Sequence, residues 1–305
     1  MAKERFGRQP KQAKPSASIP KRETHFLGIG IDNYTGHWPR LNNAVRDVKA
    51  VAALLQQAYD LSHTEFLFNE RATRRNIINT LDRLTDELNE ANNLIIYYAG
   101  HGHYKTSTKR GFWVPVDATD DDVSQYIRNS TIKDYIRDIN SHHTLLLSDA
   151  CFSGSLFVRA QRSSQLNLDE LRMQPSRWAI CSGRQNETVA DGPEDGHSPF
   201  AQSLLDVLGN SRREVITANF LYEQVRMQTR SNYTQLPDGG PLFQAGDRRG
   251  EFVFTRKQDE KARWTVVKTT HSISSYEAYL AAFPTGQFVE QAQAAVTKLK
   301  AEAAW

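Results

Sequence analysis

Two short apolar segments constrain the fold of this chain more than any other feature of its sequence. The first, at 93–103, reads NLIIYYAGHGH, and the second, at 144–155, reads TLLLSDACFSGS. Each begins with an apolar run and then breaks into small residues around one reactive side chain, His101 in the first and Cys151 in the second. Continuous apolar runs that end at glycine are typical of strands buried on both faces of a parallel sheet. The sequence therefore predicts an α/β fold in which the two segments are neighbouring strands.

The two reactive side chains are expected at the same edge of that sheet. Ligands of open α/β sheets bind beyond the carboxyl ends of the strands, and the 50 residues from His101 to Cys151 leave room for a helical crossover. Cysteine attacks as a thiolate, and a nearby imidazole can deprotonate it or protonate a leaving amine. A free backbone N–H at Gly102 or Cys151 can stabilise an oxyanion. These residues predict nucleophilic catalysis by a Cys–His dyad.

The residues around both side chains resemble a known family. YYAGHG at 97–102 and DACFSG at 149–154 resemble the histidine and cysteine boxes of caspase-like cysteine peptidases, in particular metacaspases and paracaspases. The spacing between His and Cys agrees with that of caspases, and the resemblance extends over about 26–254. It implies a three-layer α/β fold, with a central, mostly parallel sheet of about six strands flanked by helices. It also implies a cysteine endopeptidase in which His101, Cys151 and Gly102 carry the catalysis.

Three aspartates are candidates for the substrate pocket. Residues i and i−2 of a strand share a face, so the Asp149 carboxylate is expected on the same side as the Cys151 thiol. The resemblance implies that Asp149, Asp47 and Asp191 bind the substrate residue that precedes the cut. Carboxylates pair with Arg or Lys and repel Asp, so basic residues are the expected substrates. Structural alternatives stay open for two of them: Asp47, in the early turns of its helix, would favour the helix dipole, and Asp149 would bond backbone amides.

Composition and charge exclude several classes of protein. The chain of 305 residues has no apolar run close to the ~20 residues of a membrane span, and no apolar signal core at its N-terminus. Its two cysteines suit a reducing compartment, so a cytoplasmic location is expected. The net charge is +3, and residues 1–22 carry seven Lys or Arg against one Glu, which leaves −3 for the remainder. The lack of a long apolar run argues against a membrane protein, and the charge balance argues against a nucleic-acid-binding core.

The chain is expected to divide into three parts. Residues 1–24 have the composition of a disordered basic tail, 25–256 form the peptidase domain, and 257–305 form a C-terminal helical segment. A polar, basic linker at about 155–176 occupies the place between the large and small parts of caspase-like enzymes. The C-terminal segment resembles an appendage of many bacterial caspase-like proteins. It either packs on the core or docks a partner protein.

Local patterns give three further expectations. Asn42 and Asn43 offer an N-cap for the helix that carries Asp47. Residues 104–111, which read YKTSTKRG, are expected to form a polar loop at the rim of the cleft. Cys181 is expected to be a small buried hydrophobic residue.

The residue pattern predicts neither a structural metal nor a cofactor. His103, His142 and His143 are candidate ligands, but a structural zinc site needs closely spaced thiolates and the two cysteines lie 30 residues apart. The segment 117–122 carries four Asp in six residues and can bind Ca²⁺, the ion that activates some metacaspases. It lacks the Gly and the distal Glu of an EF-hand loop, so a solvated acidic turn is the favoured interpretation.

The favoured function is a cysteine endopeptidase that cuts protein substrates after Arg or Lys. The resemblance implies a zymogen activated by proteolysis, Ca²⁺ or a partner, with a role in signalling, cell death or antiviral defence. Arg159, Arg162 and Arg172 are candidate self-cleavage sites. Two alternatives stay open: an Asp-specific peptidase of the caspase type, and a catalytically silent scaffold that acts by binding.

Overall fold

The chain folds around a six-stranded sheet with helices on both faces. A computed structural model describes residues 20–119, 122–150, 167–183, 190–233, 235–242, 244–258 and 260–303. The strands are β1 (Glu23–Gly30), β2 (His63–Phe68), β3 (Asn92–Ala99), β4 (Gly102–Lys105), β5 (Arg110–Trp113), β6 (Ile127–Arg128), β7 (His143–Asp149), β8 (Ser176–Cys181), β9 (Val215–Thr217), β10 (Asp238–Pro241) and β11 (Val253–Thr255). The helices are α1 (Ala44–Ala58), α2 (Arg74–Glu87), α3 (Asn129–Asp138), α4 (Leu168–Met173), α5 (Pro199–Asn210), α6 (Ala218–Asn232), α7 (Glu260–Thr270), α8 (Ile273–Ala282) and α9 (Val289–Glu302).

The central sheet has the strand order β10-β8-β7-β3-β1-β2. All of its neighbouring strands run parallel except β10, which pairs antiparallel with β8 at one edge. Strands β4, β5 and β6 form a small antiparallel sheet, and β9 pairs with β11. The predicted fold, a mostly parallel sheet of about six strands between helical layers, is confirmed.

Both faces of the sheet are buried, which explains why its strands are apolar without alternation. In β3, Ile95 and Tyr97 pack into one hydrophobic cluster, whereas Leu94 and Ile96 pack into the other. The first cluster includes residues of α1, α5 and α6, and the second includes residues of α2 and α3. Burial of each such side chain contributes about 1.5–3 kcal/mol. The segment that precedes His101 is therefore fixed by packing on both sides.

The start of α1 differs from the prediction. Asn43 stands at the N-cap position as expected, but its side chain makes no capping hydrogen bond. Its amide group instead donates to the carbonyls of Asp191 (2.7 Å) and Pro193 (3.0 Å). The Asp32 carboxylate accepts from the Val45 N–H (3.1 Å) and takes the place of the cap. A capping residue supplied from another part of the chain leaves no local signal in the sequence.

The predicted polar loop at 104–111 is only partly correct, since a turn covers 106–109 and the residues on either side of it belong to β4 and β5. These residues form the facing ends of β4 and β5, with Tyr104 paired to Gly111 and Lys105 to Arg110. The Thr108 N–H donates to the Lys105 carbonyl and closes the turn (3.2 Å). A hairpin this short carries few apolar side chains, so its composition is that of a loop.

The C-terminal helices pack on one another around a separate hydrophobic cluster that includes Trp264 and Tyr279. Trp264 stacks on Phe288 with ring centroids 5.0 Å apart, and Tyr279 donates to Glu260 (2.6 Å). The expected helices are confirmed, while the boundary at 257 stays a prediction. Residues 1–19 of the predicted tail lie outside the described residues. In the described part of the chain, no helix is both long enough and apolar enough to cross a membrane.

Candidate active site

The register between β3 and β7 brings the two motifs to one edge of the sheet. Ala99 at the end of β3 pairs with Asp149 at the end of β7, and the Gly100 N–H donates to the Asp149 carbonyl (3.2 Å). His101 follows Ala99 by two residues, and Cys151 follows Asp149 by two residues. Cys151 lies outside the described residues, and the second motif is described up to its neighbour at position 150.

The His101 imidazole is held by the loop that precedes α1. Its Nε2 lies 2.7 Å from the Pro39 carbonyl oxygen, and its ring packs against Tyr34 and Trp38 with centroids 4.9 and 5.1 Å away. A carbonyl oxygen only accepts, so Nε2 carries the proton and Nδ1 is the basic atom of the neutral ring. Burial lowers the pKa of His101, an effect that the Pro39 hydrogen bond and Asp191 oppose. The ring is thus neutral near pH 7, with one nitrogen able to accept a proton.

Gly100 allows two tyrosines to close on the backbone beside His101. A Cβ at Gly100 would lie 2.7 Å from Oη of Tyr34 and 3.0 Å from Oη of Tyr98. The Tyr34 hydroxyl accepts from the His101 N–H (2.7 Å), and the Tyr98 hydroxyl donates to the His101 carbonyl (2.7 Å). The absence of a side chain at Gly100 is therefore what lets both hydroxyls fix the backbone that carries the imidazole.

Gly102 has a backbone N–H that points away from the neighbouring strand. Gly102 pairs with Trp113, and the Val114 N–H donates to the His101 carbonyl (3.1 Å). This bond makes Gly102 and Trp113 a non-hydrogen-bonded pair, so the Gly102 N–H takes no part in the ladder between β4 and β5. An N–H outside the ladder and next to His101 is what an oxyanion donor requires.

The three predicted aspartates meet at a cavity of about 100 Å³ beside His101. Asp47 comes from α1, Asp149 from the end of β7, and Asp191 from the loop before α5. A larger cavity, of about 230 Å³, lies at the amino ends of the strands and contains none of these groups. The remaining residues that line the smaller cavity are Leu41, Ala44, Ala99, Gly100, Ala190 and Ser198.

Asp149 is buried with only part of its hydrogen-bonding capacity used. Its Oδ2 accepts from the Ser198 hydroxyl at 2.5 Å, while Oδ1 has no hydrogen-bond partner among the described residues. Burial, followed by the charge of Asp47, raises the pKa of Asp149 to about 7. The carboxyl group is therefore poised between its neutral and charged forms near neutral pH.

Asp47 is buried beside Asp149 and is better satisfied. Its Oδ1 lies 2.5 Å from Nδ1 of His197, and its Oδ2 accepts from the Ser198 N–H at 3.1 Å. Burial is the main cause that raises the pKa of Asp47 to about 7; the hydrogen bonds from Ser198 oppose this shift, and the charges of Asp191 and Asp32 contribute to it. His197 therefore covers one oxygen of the second carboxylate in this cavity.

Asp191 lines the cavity but also has a structural task. Its Oδ2 accepts from the Asn42 N–H (2.6 Å), and its Oδ1 accepts from the Asn43 N–H (3.2 Å). These bonds attach the 191–197 loop to the start of α1. Asp191 thus lines the cavity and also bonds backbone amides, a role that was not expected for it from the sequence.

Sequence reasoning missed His197 and the contact between Ser198 and Asp149. Ser198 was recognisable as the cap of a helix, and its hydroxyl does accept from the Ala201 N–H (3.0 Å). Its bond to Asp149 spans 49 residues, and the contact of His197 with Asp47 spans 150. No local pattern predicts such contacts. The Pro39 carbonyl that orients His101 belongs to the backbone and has no residue signature at all.

The described part of the acidic run at 117–122 serves backbone hydrogen bonding. Asp117 accepts from the Arg74 N–H at the start of α2 (2.9 Å). Asp122 accepts from the Ser124 N–H (2.9 Å), and its hydrogen bonds with Ser124 lower its pKa. Asp120 and Asp121 lie outside the described residues. Cys181 is buried in β8, as predicted.

Comparisons with known proteins agree with this fold. A family model described as the caspase domain, of the C14 peptidases, matches residues 25–238. A protein of Geobacter sulfurreducens is 16% identical, with a TM-score of 0.54, over 74% of this chain and 97% of that chain. Caspase-1 from Spodoptera frugiperda is 12% identical, with a TM-score of 0.52, over 78% of this chain and 94% of that chain. These likenesses show the fold alone. A search of curated protein sequences found no significant match.

Proposed function

The chain belongs to the caspase-domain family of cysteine peptidases, and from that premise we propose an endopeptidase that cuts protein substrates after Arg or Lys. The observation that carries this specificity is the cavity beside His101, which is lined by three aspartates. A cytoplasmic location, activation by proteolysis, Ca²⁺ or a partner protein, and a role in signalling, cell death or antiviral defence are part of the same proposal.

In the proposed mechanism Cys151 is the nucleophile and His101 is the acid–base group. Nδ1 of His101 takes the thiol proton, the thiolate attacks the scissile carbonyl carbon, and the N–H groups of Gly102 and Cys151 stabilise the oxyanion. The C–N bond then breaks as His101 returns the proton to the leaving amine, and a thioester remains. Water hydrolyses the thioester with His101 as base. The Pro39 contact supports this assignment because it keeps the proton on Nε2 and leaves Nδ1 free.

The partly unpaired carboxylate of Asp149 supports a basic residue before the cut. A guanidinium or ammonium group can donate to its Oδ1, which has no partner among the described residues. It would also favour the charged forms of Asp149 and Asp47 and so lower their raised pKa values. A substrate Asp would instead add a fourth carboxylate to the cavity, which like-charge repulsion opposes.

Self-cleavage is proposed at Arg159 or Arg162 rather than at Arg172. Arg172 lies in α4, and its carbonyl oxygen is 3.1 Å from Nε2 of both His142 and His143. A peptide bond held in this way is a poor fit to an extended substrate. Arg159 and Arg162 lie outside the described residues. Intact mass after incubation, compared with that of Cys151→Ala, identifies the cut, and a product that ends at Arg172 would contradict this choice.

Fluorogenic peptides that differ only at the residue before the cut test the proposed function. Arg, Lys, Asp and Ala peptides are offered to wild type and Cys151→Ala, with and without Ca²⁺. Cys181→Ala is the matched control, because Cys181 is the other cysteine and is buried in β8. We expect turnover of Arg or Lys peptides that is lost in Cys151→Ala and retained in Cys181→Ala.

Two results would contradict the proposal in different ways. Turnover of the Asp peptide alone would keep the dyad and reject the basic pocket, in favour of an Asp-specific peptidase. Inactivity on every peptide, including after limited proteolysis of the 155–176 linker and addition of Ca²⁺, would favour a silent scaffold.

A further inference from the structure

We propose that Glu23, His25 and His63 form a binding site for a divalent transition-metal ion such as Zn²⁺. One potential ligand atom of each side chain lies within 4.8 Å of those of the other two. The site is at the amino ends of β1 and β2, whereas His101 follows the carboxyl end of β3. It is therefore at the opposite edge of the sheet and has no part in the proposed peptidase mechanism.

The strand register places the three side chains on one face of the sheet. His25 and His63 are direct partners in the parallel pairing of β1 and β2, and Glu23 shares the face of His25 because it precedes it by two residues. The two imidazole rings stack with centroids 4.4 Å apart, and Glu23 Oε2 lies 3.6 Å from His63 Nε2. The backbones are already in place, so side-chain rotations suffice to bring the ligand atoms to the roughly 3.3 Å spacing of tetrahedral zinc.

The donor set selects the class of ion. Two imidazole nitrogens and one carboxylate oxygen suit Zn²⁺ and its transition-metal neighbours, whereas Ca²⁺ and Mg²⁺ prefer oxygen ligands. His25 Nε2 faces the Asn92 side-chain amide at 3.4 Å, a long contact that an ion can replace. The side chains of His63 and Glu23 are 57% and 66% exposed, so an ion has access from solvent and room for a water ligand.

The surroundings of the three ligands also favour a cation. The adjacent cavity is lined by Glu65, Glu87 and Arg83. The guanidinium group of Arg83 is engaged by Glu65 at 2.6 Å and also by Glu87. Glu23, Glu65 and Glu87 contribute three negative charges and Arg83 contributes one positive charge, so the net charge of these groups is negative. A bound ion would connect β1 to β2, the strand at the sheet edge, and thus stabilise the fold.

Zinc titration of the full chain carrying Cys151→Ala tests the site, since this background removes the reactive thiol as a competing ligand. We expect one Zn²⁺ per chain by calorimetry, and a Tm rise of about 5 °C or more at a zinc concentration 100-fold above Kd. His25→Ala and His63→Ala should each weaken binding by at least about 10-fold. Glu23→Gln should weaken it less, because two imidazoles remain. His37→Ala is the matched control, as His37 is exposed and lies outside the ligand group.

The results that would overturn the site are separate from those that test the peptidase. Unchanged zinc affinity in His63→Ala, an equal loss in His37→Ala, or no zinc binding by the parent chain would each reject it. His63 is more than half exposed, so its substitution should leave the metal-free Tm unchanged and the comparison valid. Ca²⁺ in place of Zn²⁺ should give no shift that depends on His25 or His63, and such a shift would also contradict the donor-set argument.

Discussion

Arg177 and Asp149 are buried charged residues on neighbouring strands, and the fold treats them in opposite ways. Their exposed fractions are 5% and 6%. The Arg177 guanidinium makes four hydrogen bonds at 3.0–3.1 Å. The Asp149 carboxyl accepts from the Ser198 hydroxyl and has the Ser182 hydroxyl nearby, and its Oδ1 is within hydrogen-bond distance of no donor among the described residues. The acceptors of Arg177 are the backbone carbonyls of Ile136, Ile139, His142 and Ser176.

The difference separates a structural buried charge, Arg177, from a buried carboxyl group, Asp149, that is proposed to bind a ligand. Burial lowers the pKa of Arg177 to about 10, so it stays charged at pH 7. The same cause raises the pKa of Asp149 to about 7, where the group is half ionised. A charge whose partners all come from the fold holds segments together. In the proposed function, the open oxygen of Asp149 gains a partner when a basic substrate side chain enters the cavity beside His101.

The largest expected effect is on stability, from Arg177→Met. This substitution keeps most of the side-chain volume but removes four hydrogen bonds to buried backbone carbonyls, so it should lower the free energy of unfolding by about 3–5 kcal/mol. Urea unfolding measures the change. The preference for Arg over Ala peptides should be unchanged at a temperature where the variant is folded. A stable variant with altered preference would reverse the roles assigned to Arg177 and Asp149.

Asp149→Asn should have the opposite profile. Loss of a charged hydrogen-bond acceptor is expected to reduce kcat/KM for the Arg peptide about 10- to 100-fold, with little change for the Ala peptide. Because the folded-state pKa of Asp149 is raised from 3.8 to about 7, its ionisation opposes folding, and the wild type loses stability as the pH rises through this range. The Asn variant does not ionise, so its Tm relative to wild type should increase from pH 5 to pH 8.

Ser198→Ala is the control for this variant. It removes the hydroxyl that bonds Asp149 Oδ2 but keeps the carboxylate, so Arg peptides should still be preferred over Ala peptides. A preference that disappears in Ser198→Ala and survives in Asp149→Asn would show that the serine, not the carboxylate, selects the substrate.

The two residues also mark what could be predicted from the sequence. Asp149 was singled out because it precedes Cys151 by two residues on a strand and because its motif resembles the cysteine box of the family, and both features are local in the sequence. Arg177 was not singled out, because its four acceptors are backbone carbonyls that only the folded chain brings together. The sheet followed from apolar runs buried on both faces. Two contacts complete the site: the Pro39 carbonyl with His101, and His197 with Asp47. Both partners come from loops distant in sequence, so no local pattern predicts them.

The pH dependence of cleavage should sharpen the contrast between the empty and the occupied cavity. Asp47 and Asp149 have pKa values near 7 in the free enzyme, so kcat/KM for the Arg peptide should rise up to about tenfold per pH unit below 7 and level off above it. A bound cation lowers both pKa values, so the rise of kcat with pH should occur at lower pH than the rise of kcat/KM. Initial rates between pH 5 and 9 give both profiles. If kcat and kcat/KM rise over the same pH range, the idea that a bound basic side chain favours ionisation of Asp47 and Asp149 is contradicted.

Gly100→Ala should give the smallest change in stability, and it tests how the backbone of His101 is held beside the cavity. The new Cβ would lie 2.7 Å from Oη of Tyr34 and 3.0 Å from Oη of Tyr98, and overpacking of this kind costs about 1–3 kcal/mol. Tyr34→Phe removes the nearer oxygen, together with its bond to the His101 N–H. Urea unfolding of the double variant should therefore show less destabilisation than the sum of the single variants.

The kinetics of the same variants separate the two sides of the site. A displaced His101 should lower kcat for Arg and Ala peptides alike, because the acid–base group serves every substrate. The ratio of their kcat/KM values should stay at the wild-type value, since Asp149 and Asp47 keep their hydrogen bonds to Ser198. Two outcomes would contradict this separation. One is strict additivity of the stability changes, and the other is a selective loss of Arg-peptide turnover in Gly100→Ala. Either would mean that the residues that hold the His101 imidazole and the acidic cavity do not act independently. The distinction between a support completed by the fold and a charge completed by the substrate would then fail at Gly100, which lines the acidic cavity and precedes His101.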